Sequence, residues 1–217
     1  MKILCVMPCL PEDFNYKSLM SILRQTVPVD MIVLLPRRVQ GRTIGEKVSK
    51  VLNEGLNSIK LEDFDYILRV DCETVLPPNF IEENLKGEPD LCGESGHAML
   101  LKVKSFKKAM NCRFHPLSDD SYTMRKFGML GLKVDKWHVR PIHKRRIHSI
   151  KEQFMRGILR YRIGYTPIHI LLMCRHDIKR IFGVFGYFYA LLKRMPKFDV
   201  ASYTWNQQIR RLKQLFA

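Results

Sequence analysis

No uninterrupted apolar stretch in the 217 residues approaches the ~20 needed to cross a bilayer, so the sequence predicts no membrane-spanning helix. The six cysteines (Cys5, Cys9, Cys72, Cys92, Cys112, Cys174) include no CxxC pair and lie mostly inside apolar runs. A disulfide frame and a zinc cage are therefore excluded, and buried thiols in a reducing compartment are expected. There is no internal repeat and no low-complexity segment. The opening MKILCVMPCLP has one lysine and a short apolar run stopped by Pro8, which suits a first strand better than a signal peptide.

Acid is scarce in only one region. Residues 133–217 hold 19 basic and 4 acidic side chains, whereas residues 1–132 hold 18 and 17. Nearly all of the net charge of +16 thus sits in the last two fifths of the chain. A neutral body with a basic tail points to an anionic partner, either a membrane surface or nucleic acid. Hydrophobic content of 46% in a chain this long supports one domain with an appendage.

Short apolar runs alternate with helical periodicity through the first half. Ile3–Met7, Met31–Leu35 and Tyr66–Val70 read as buried strands. Tyr16–Gln25 and Ile44–Ile59 read as helices, the second with Val48, Val51, Leu52 and Leu56 on one face, and Phe80–Leu85 as a short helix. This order predicts a doubly wound α/β sheet. Runs at Ala98–Val103 and Lys133–Trp137, with a helix from Asp120 to Phe127 between them, extend it as a mixed sheet.

Strand Tyr66–Val70 ends in Asp71 and Glu73, and the chain breaks on Pro77 and Pro78. Acids at the C-terminal end of such a strand face the ligand crevice of an α/β sheet. At i and i+2 their side chains would share one side of the strand and could converge on one cation. The alternative is that they solvate a strand end.

The order of these features resembles glycosyltransferase family 2 of the GT-A fold. The resemblance rests on ILCVMP, the helix end LMSILRQT, MIVLL, the D-x-D-like DCE, the Gly-bearing GESGHAMLLKV and the acid pair in SDDSYTMRKFG. It covers roughly residues 2–165. It implies a mixed, mostly parallel sheet flanked by helices and an inverting transfer of sugar from a nucleoside-diphosphate donor. The implied site comprises Asp120 as base, Asp71, Glu73 and His143 on a Mn²⁺ or Mg²⁺ ion, and Pro8, Glu12, Lys47 and Asp71 on the donor. Gly96, Asp119, Gln153 and Arg156 are implied on the acceptor, a glycan or a polyprenyl- or lipid-linked sugar. The position after the second strand reads Pro36-Arg37-Arg38 where many members have an acid that recognises uracil, which leaves the base of the donor open.

Each of these residues has another possible use. Ser118, Asp119 or Asp120 could cap the following helix. His138 and His148 compete with His143, Lys47 could be a solvated helix residue, and Gly93 and Gly96 could mark strand bulges.

Residues 166–217 are expected to form a basic, amphipathic helical extension beyond a catalytic domain of residues 1–165. Pro167–Arg194 and Tyr203–Phe216 mix aromatic and aliphatic residues with Lys and Arg, the composition of a helix lying in a headgroup layer. A cytoplasmic enzyme attached peripherally to the anionic inner face of the membrane follows as the expectation. A helical subdomain on the body or a homodimer contact is the alternative. Nucleic-acid binding or nucleotidyl transfer is the rival class, weakened because the tail's aromatics cluster in one apolar stretch and no Gly-Ser step precedes the acids.

Overall fold

The computed structural model describes residues 1–9, 13–35, 39–41, 43–143, 149–176 and 178–215, without the side chains of residues 175, 176, 178 and 215. Glu12, the Pro36–Arg38 stretch and His148 lie outside this set. The chain divides into two compact units, Met1–Arg145 and Arg146–Ala217.

In the first unit, β1 (Ile3–Pro8), β2 (Met31–Leu35), β3 (Tyr66–Val70), β4 (Leu91–Ser95), β5 (Ala98–Lys102) and β6 (Val134–Asp135) form one sheet in the order β2-β1-β3-β5-β4-β6. β1 pairs parallel with β2 and β3, and β4 with β6, while β5 runs antiparallel to both β3 and β4. The sheet is thus mixed, with more parallel than antiparallel pairings.

Period-two alternation puts two apolar sets on opposite faces. Ile3, Cys5, Met7, Leu68 and Val70 pack with Ile22 of α1 (Tyr16–Leu23) and with Phe80 and Ile81 of α3 (Phe80–Leu85). Leu4, Val6, Ile67 and Met99 pack with Val51 and Leu52 of α2 (Ile44–Leu56), Phe106 of α4 (Val103–Met110) and Phe127 of α5 (Ser121–Met129). With helices on both faces, the central strands are apolar throughout, which is why they appear in the sequence as continuous runs. The Lys133–Trp137 run yields only a two-residue strand.

None of the six cysteines is in a disulfide. Burial pushes the Cys5 thiol up to about 12 and, with help from Asp135 and Glu94, that of Cys92 likewise, so both act as small apolar core groups.

The second unit contains α6 (Ile150–Ile163), α7 (Pro167–Leu172), α8 (Ile181–Leu192) and α9 (Ala201–Leu215). Ser149 and Glu152 form a reciprocal cap at the start of α6, and Gly164 ends it in the left-handed region. α6 packs along α8 with almost no space between backbones. A Cβ on Gly157 would stand 1.9 Å from the Gly183 carbonyl oxygen. α6 thus lies in the second compact unit, Arg146–Ala217. Among the described residues no helix is long and apolar enough to cross a membrane.

Candidate active site

Alternation along β3 places Ile67 and Arg69 on the face covered by α2, α4 and α5. Arg69 is a charged side chain inside an otherwise apolar strand and is 2% exposed. It stands at the C-terminal end of β3, opposite the start of α5. Its Nη2 lies 2.9 Å from Asp71 Oδ1 and 2.8 Å from Asp119 Oδ2. One buried guanidinium thereby joins the strand-end acid to the acid pair fifty residues later.

The turn between β4 and β5 completes this corner. Because β5 runs antiparallel to β3, that turn lies at the same end of the sheet, and the Asp71 N–H donates to the His97 carbonyl at 3.0 Å. Gly96 lies directly against Arg69, where a Cβ would be 3.1 Å from Nη1. The Gly96 N–H donates to Asp120 Oδ2 at 3.0 Å. Gly96 is thus a close-approach glycine.

The two acids of the pair have separate environments. Asp120 is the N-cap of α5, its Oδ1 accepting from the Ser121 N–H, and it remains partly open to solvent. The capping alternative therefore applies to Asp120 itself. Asp119 is 4% exposed. Burial, opposed by Arg69 and reinforced by Asp120 and Asp71, pushes its carboxyl up to about 7. Burial also raises Asp71, but Arg69 and the hydrogen bond from His97 outweigh it, and its carboxyl is held below the ordinary range.

The same-side strand geometry expected for Asp71 and Glu73 is not what places them. β3 stops at Val70, and the Thr74 N–H donates to the Asp71 carbonyl at 2.9 Å, so residues 71–74 form a turn. Glu73 reaches the corner through histidine. Backbone bonds between Val75 and Ile142 bring the next residue, His143, alongside, with Nδ1 3.1 Å from Thr74 Oγ1 and Nε2 3.8 Å from Glu73 Oε1. His97 stacks on His143 with ring centroids 3.4 Å apart and turns Nδ1 toward Asp71 Oδ2 at 3.4 Å.

Sequence reasoning missed His97 and Arg69. The signal for Arg69 was available, since an arginine inside an apolar strand must be paired. His97 had none beyond its place after Gly96. His138, one of the rivals to His143, donates its backbone N–H to Asn84 Oδ1 at 2.7 Å.

The remaining predicted residues are spread more widely. Pro8 ends β1 in register with Leu35. Lys47 is exposed on α2, which Thr43 caps. Gln153 and Arg156 are on α6 in the second unit, where Gln153 is buried and Arg156 exposed.

Two carboxylates and an imidazole, Asp71, Glu73 and His143, form an oxygen-and-nitrogen donor set that Mn²⁺ accepts. No three such side chains are already drawn into a cage among the described residues. A hard cation held by one or two carboxylates and completed by diphosphate oxygens needs no such cage, so the residues fit the ion.

No protein-family model matches the chain, and no curated protein matches it. Solved structures do. The mannosyltransferase PcManGT from Pyrobaculum calidifontis, in complex with GDP-Man and Mn²⁺, matches with TM-score 0.58 and 12% identity over 97% of this chain and 80% of that one. S. aureus TarS in complex with UDP matches with TM-score 0.50 and 10% identity over 74% of this chain, which spans 65% of that one. TarS in complex with UDP-GlcNAc gives TM-score 0.50 and 11% identity. The fold is that of the GT-A glycosyltransferases, as the motif order implied.

Proposed function

We propose that the protein is an inverting glycosyltransferase that moves a sugar from a nucleoside-diphosphate donor to a hydroxyl on a glycan or lipid-linked acceptor. The observation that carries this reading is the convergence of Asp71, Asp119 and Asp120 around Arg69 at the C-terminal end of the sheet in a GT-A fold. Transfer requires the leaving diphosphate to be neutralised and the acceptor hydroxyl to lose a proton as it attacks.

Asp71, Glu73 and His143 would hold a divalent cation, which when bound supplies positive charge to the diphosphate oxygens. Asp120 is the base. It is the solvent-reaching member of the pair, and the Gly96 and Ser121 N–H groups fix its orientation. Asp119 is too deeply buried to touch an acceptor and acts on Arg69 instead. Pro8 and Lys47 are proposed on the donor side.

The test uses thermal shift and calorimetry with GDP and UDP, each with and without Mn²⁺. A stabilisation that requires both nucleotide and Mn²⁺, and that Glu73→Gln removes, is expected. With the donor found in this way, Asp120→Asn should lose ~10²–10⁴-fold in turnover and keep donor affinity. Asn caps a helix as well as Asp does, so the variant should fold. Nucleotide binding indifferent to Mn²⁺ and Glu73 would sink the metal assignment, and a fast Asp120→Asn enzyme would leave Asp120 as a cap alone.

The basic second unit is proposed to hold the enzyme at an anionic membrane surface. This is supported by α8, IFGVFGYFYALL, which has no charged residue yet leaves Ile181, Phe185 and Leu192 exposed between Arg180 and Lys193.

A further inference from the structure

Arg69 is the only charged residue of β3, and its register partners on the neighbouring strands are Val6 and Met99. A guanidinium in such a place needs its five N–H donors met. Nη2 meets Asp71 and Asp119, but Nε and Nη1 are buried with no hydrogen-bond partner among the described residues. The 2.8 Å contact with Asp119 Oδ2 is an ion pair without hydrogen-bond alignment, because that oxygen is also left without a donor. Burying unmet donors costs stability, so holding the sheet together does not account for this arginine.

What the guanidinium does hold is the Asp71 carboxylate. Arg69 Nη2 stands 2.9 Å from Oδ1, and the arginine side chain is 3% exposed. His97 Nδ1 stands 3.4 Å from Oδ2, and the histidine side chain is 40% exposed. The shorter, buried contact decides how the carboxylate is turned, since the longer one competes with water. Asp71 itself is partly exposed, so one oxygen is fixed from inside the sheet and the other remains for the open side of the corner. Buried Asp119 gives the guanidinium a second, enclosed anion.

We propose that Arg69 is the positioning residue of the cation site: it fixes Asp71 Oδ1 so that Oδ2 is presented to the divalent cation, and Asp119 anchors the guanidinium. This rests on the cation reading of Asp71, Glu73 and His143 and adds to it a residue that never touches the ion. Partners that orient a metal-binding carboxylate in this way typically carry roughly 10- to 100-fold of the metal affinity.

Removing Arg69 alone would strand the buried Asp119 charge, so the test uses R69M/D119N, which removes both partners, beside E73Q, which removes a direct ligand. Mn²⁺ is titrated into each protein with GDP and, separately, with UDP, and bound Mn²⁺ is read from the loss of the free ion's paramagnetic resonance signal. R69M/D119N should keep or raise the thermal midpoint of the metal-free protein. Its Mn²⁺ affinity in the presence of nucleotide should fall by roughly 10- to 100-fold, and excess Mn²⁺ should restore nucleotide binding to the wild-type level. That recovery separates a mispositioned ligand from a damaged corner, which extra metal would not repair.

A folded R69M/D119N with wild-type Mn²⁺ affinity overturns the positioning role and, with E73Q still impaired, leaves the cation reading standing. A loss that excess Mn²⁺ does not recover, or a thermal midpoint well below wild type, assigns the pair to the fold and overturns the role as well. Wild-type nucleotide binding that is indifferent to Mn²⁺, or no Mn²⁺ bound with either nucleotide, overturns the cation reading together with it.

Discussion

Two adjacent aspartates with the same chemistry have different surroundings because one faces inward. Asp119 meets Arg69 in the interior, while Asp120 stays at the mouth of the corner. Below about pH 4, Asp119 is protonated in both the folded and the unfolded chain. As pH rises from there to about 7, the unfolded chain releases this proton and the folded one keeps it, so the group's contribution to stability falls. Above about pH 7 the loss is complete. Asp119→Asn should remove this slope. Its unfolding free energy, followed by urea denaturation, should improve relative to wild type by on the order of a few kcal/mol between pH 4 and 7. A difference that stays flat with pH would mean that Arg69 keeps Asp119 ionised throughout.

At the scale of elements, pattern and tertiary packing divide the information between them. The central strands and the helices flanking them were legible because two-sided burial and one-sided burial leave different periods in a sequence. β4 and α4 were harder to read as elements. Leu91–Ser95 (LCGES) is five residues long and ends in polar groups, and Val103–Met110 follows β5 with no loop residue between them. The unit to which α6 belongs was not legible either, since nothing local in its helical pattern says what it packs with. That choice is made by glycine. Gly157 and Gly186 allow the α6 and α8 backbones to touch, and a Cβ on either would meet a carbonyl oxygen at 1.9 Å. Gly157→Ala should therefore cost about 3 kcal/mol or more despite its better helix propensity. A thermal melt with an unchanged or raised midpoint would show that the two helices do not cross this closely.

For the whole molecule, the charge is skewed toward the helical unit: residues 1–145 hold 23 basic and 18 acidic side chains, and residues 146–217 hold 14 and 3. Full-length protein should float with anionic vesicles and stay unbound with neutral ones. High salt should weaken this binding without abolishing it, because the apolar stripe of α8 inserts independently of charge. Binding to single-stranded RNA would instead fall steeply and linearly with the logarithm of salt, and vesicles would not compete. A protein that ignores vesicles and shows that steep dependence on RNA belongs to the nucleic-acid class.

The sequence by itself determined the alternation of strand and helix, the glycosyltransferase order of acids, the basic tail and the absence of a spanning helix. These are properties of residues close together in the chain, where side-chain period and charge density are directly readable. The tertiary structure decided that Arg69 links Asp71 to Asp119, that His97 stacks on His143, and that Asp120 rather than Asp119 faces outward. It also decided that a stripe of α8 stays uncovered. Each of these depends on sheet register or helix crossing, which bring together groups tens of residues apart, and distance along the chain carries no record of which pair will meet.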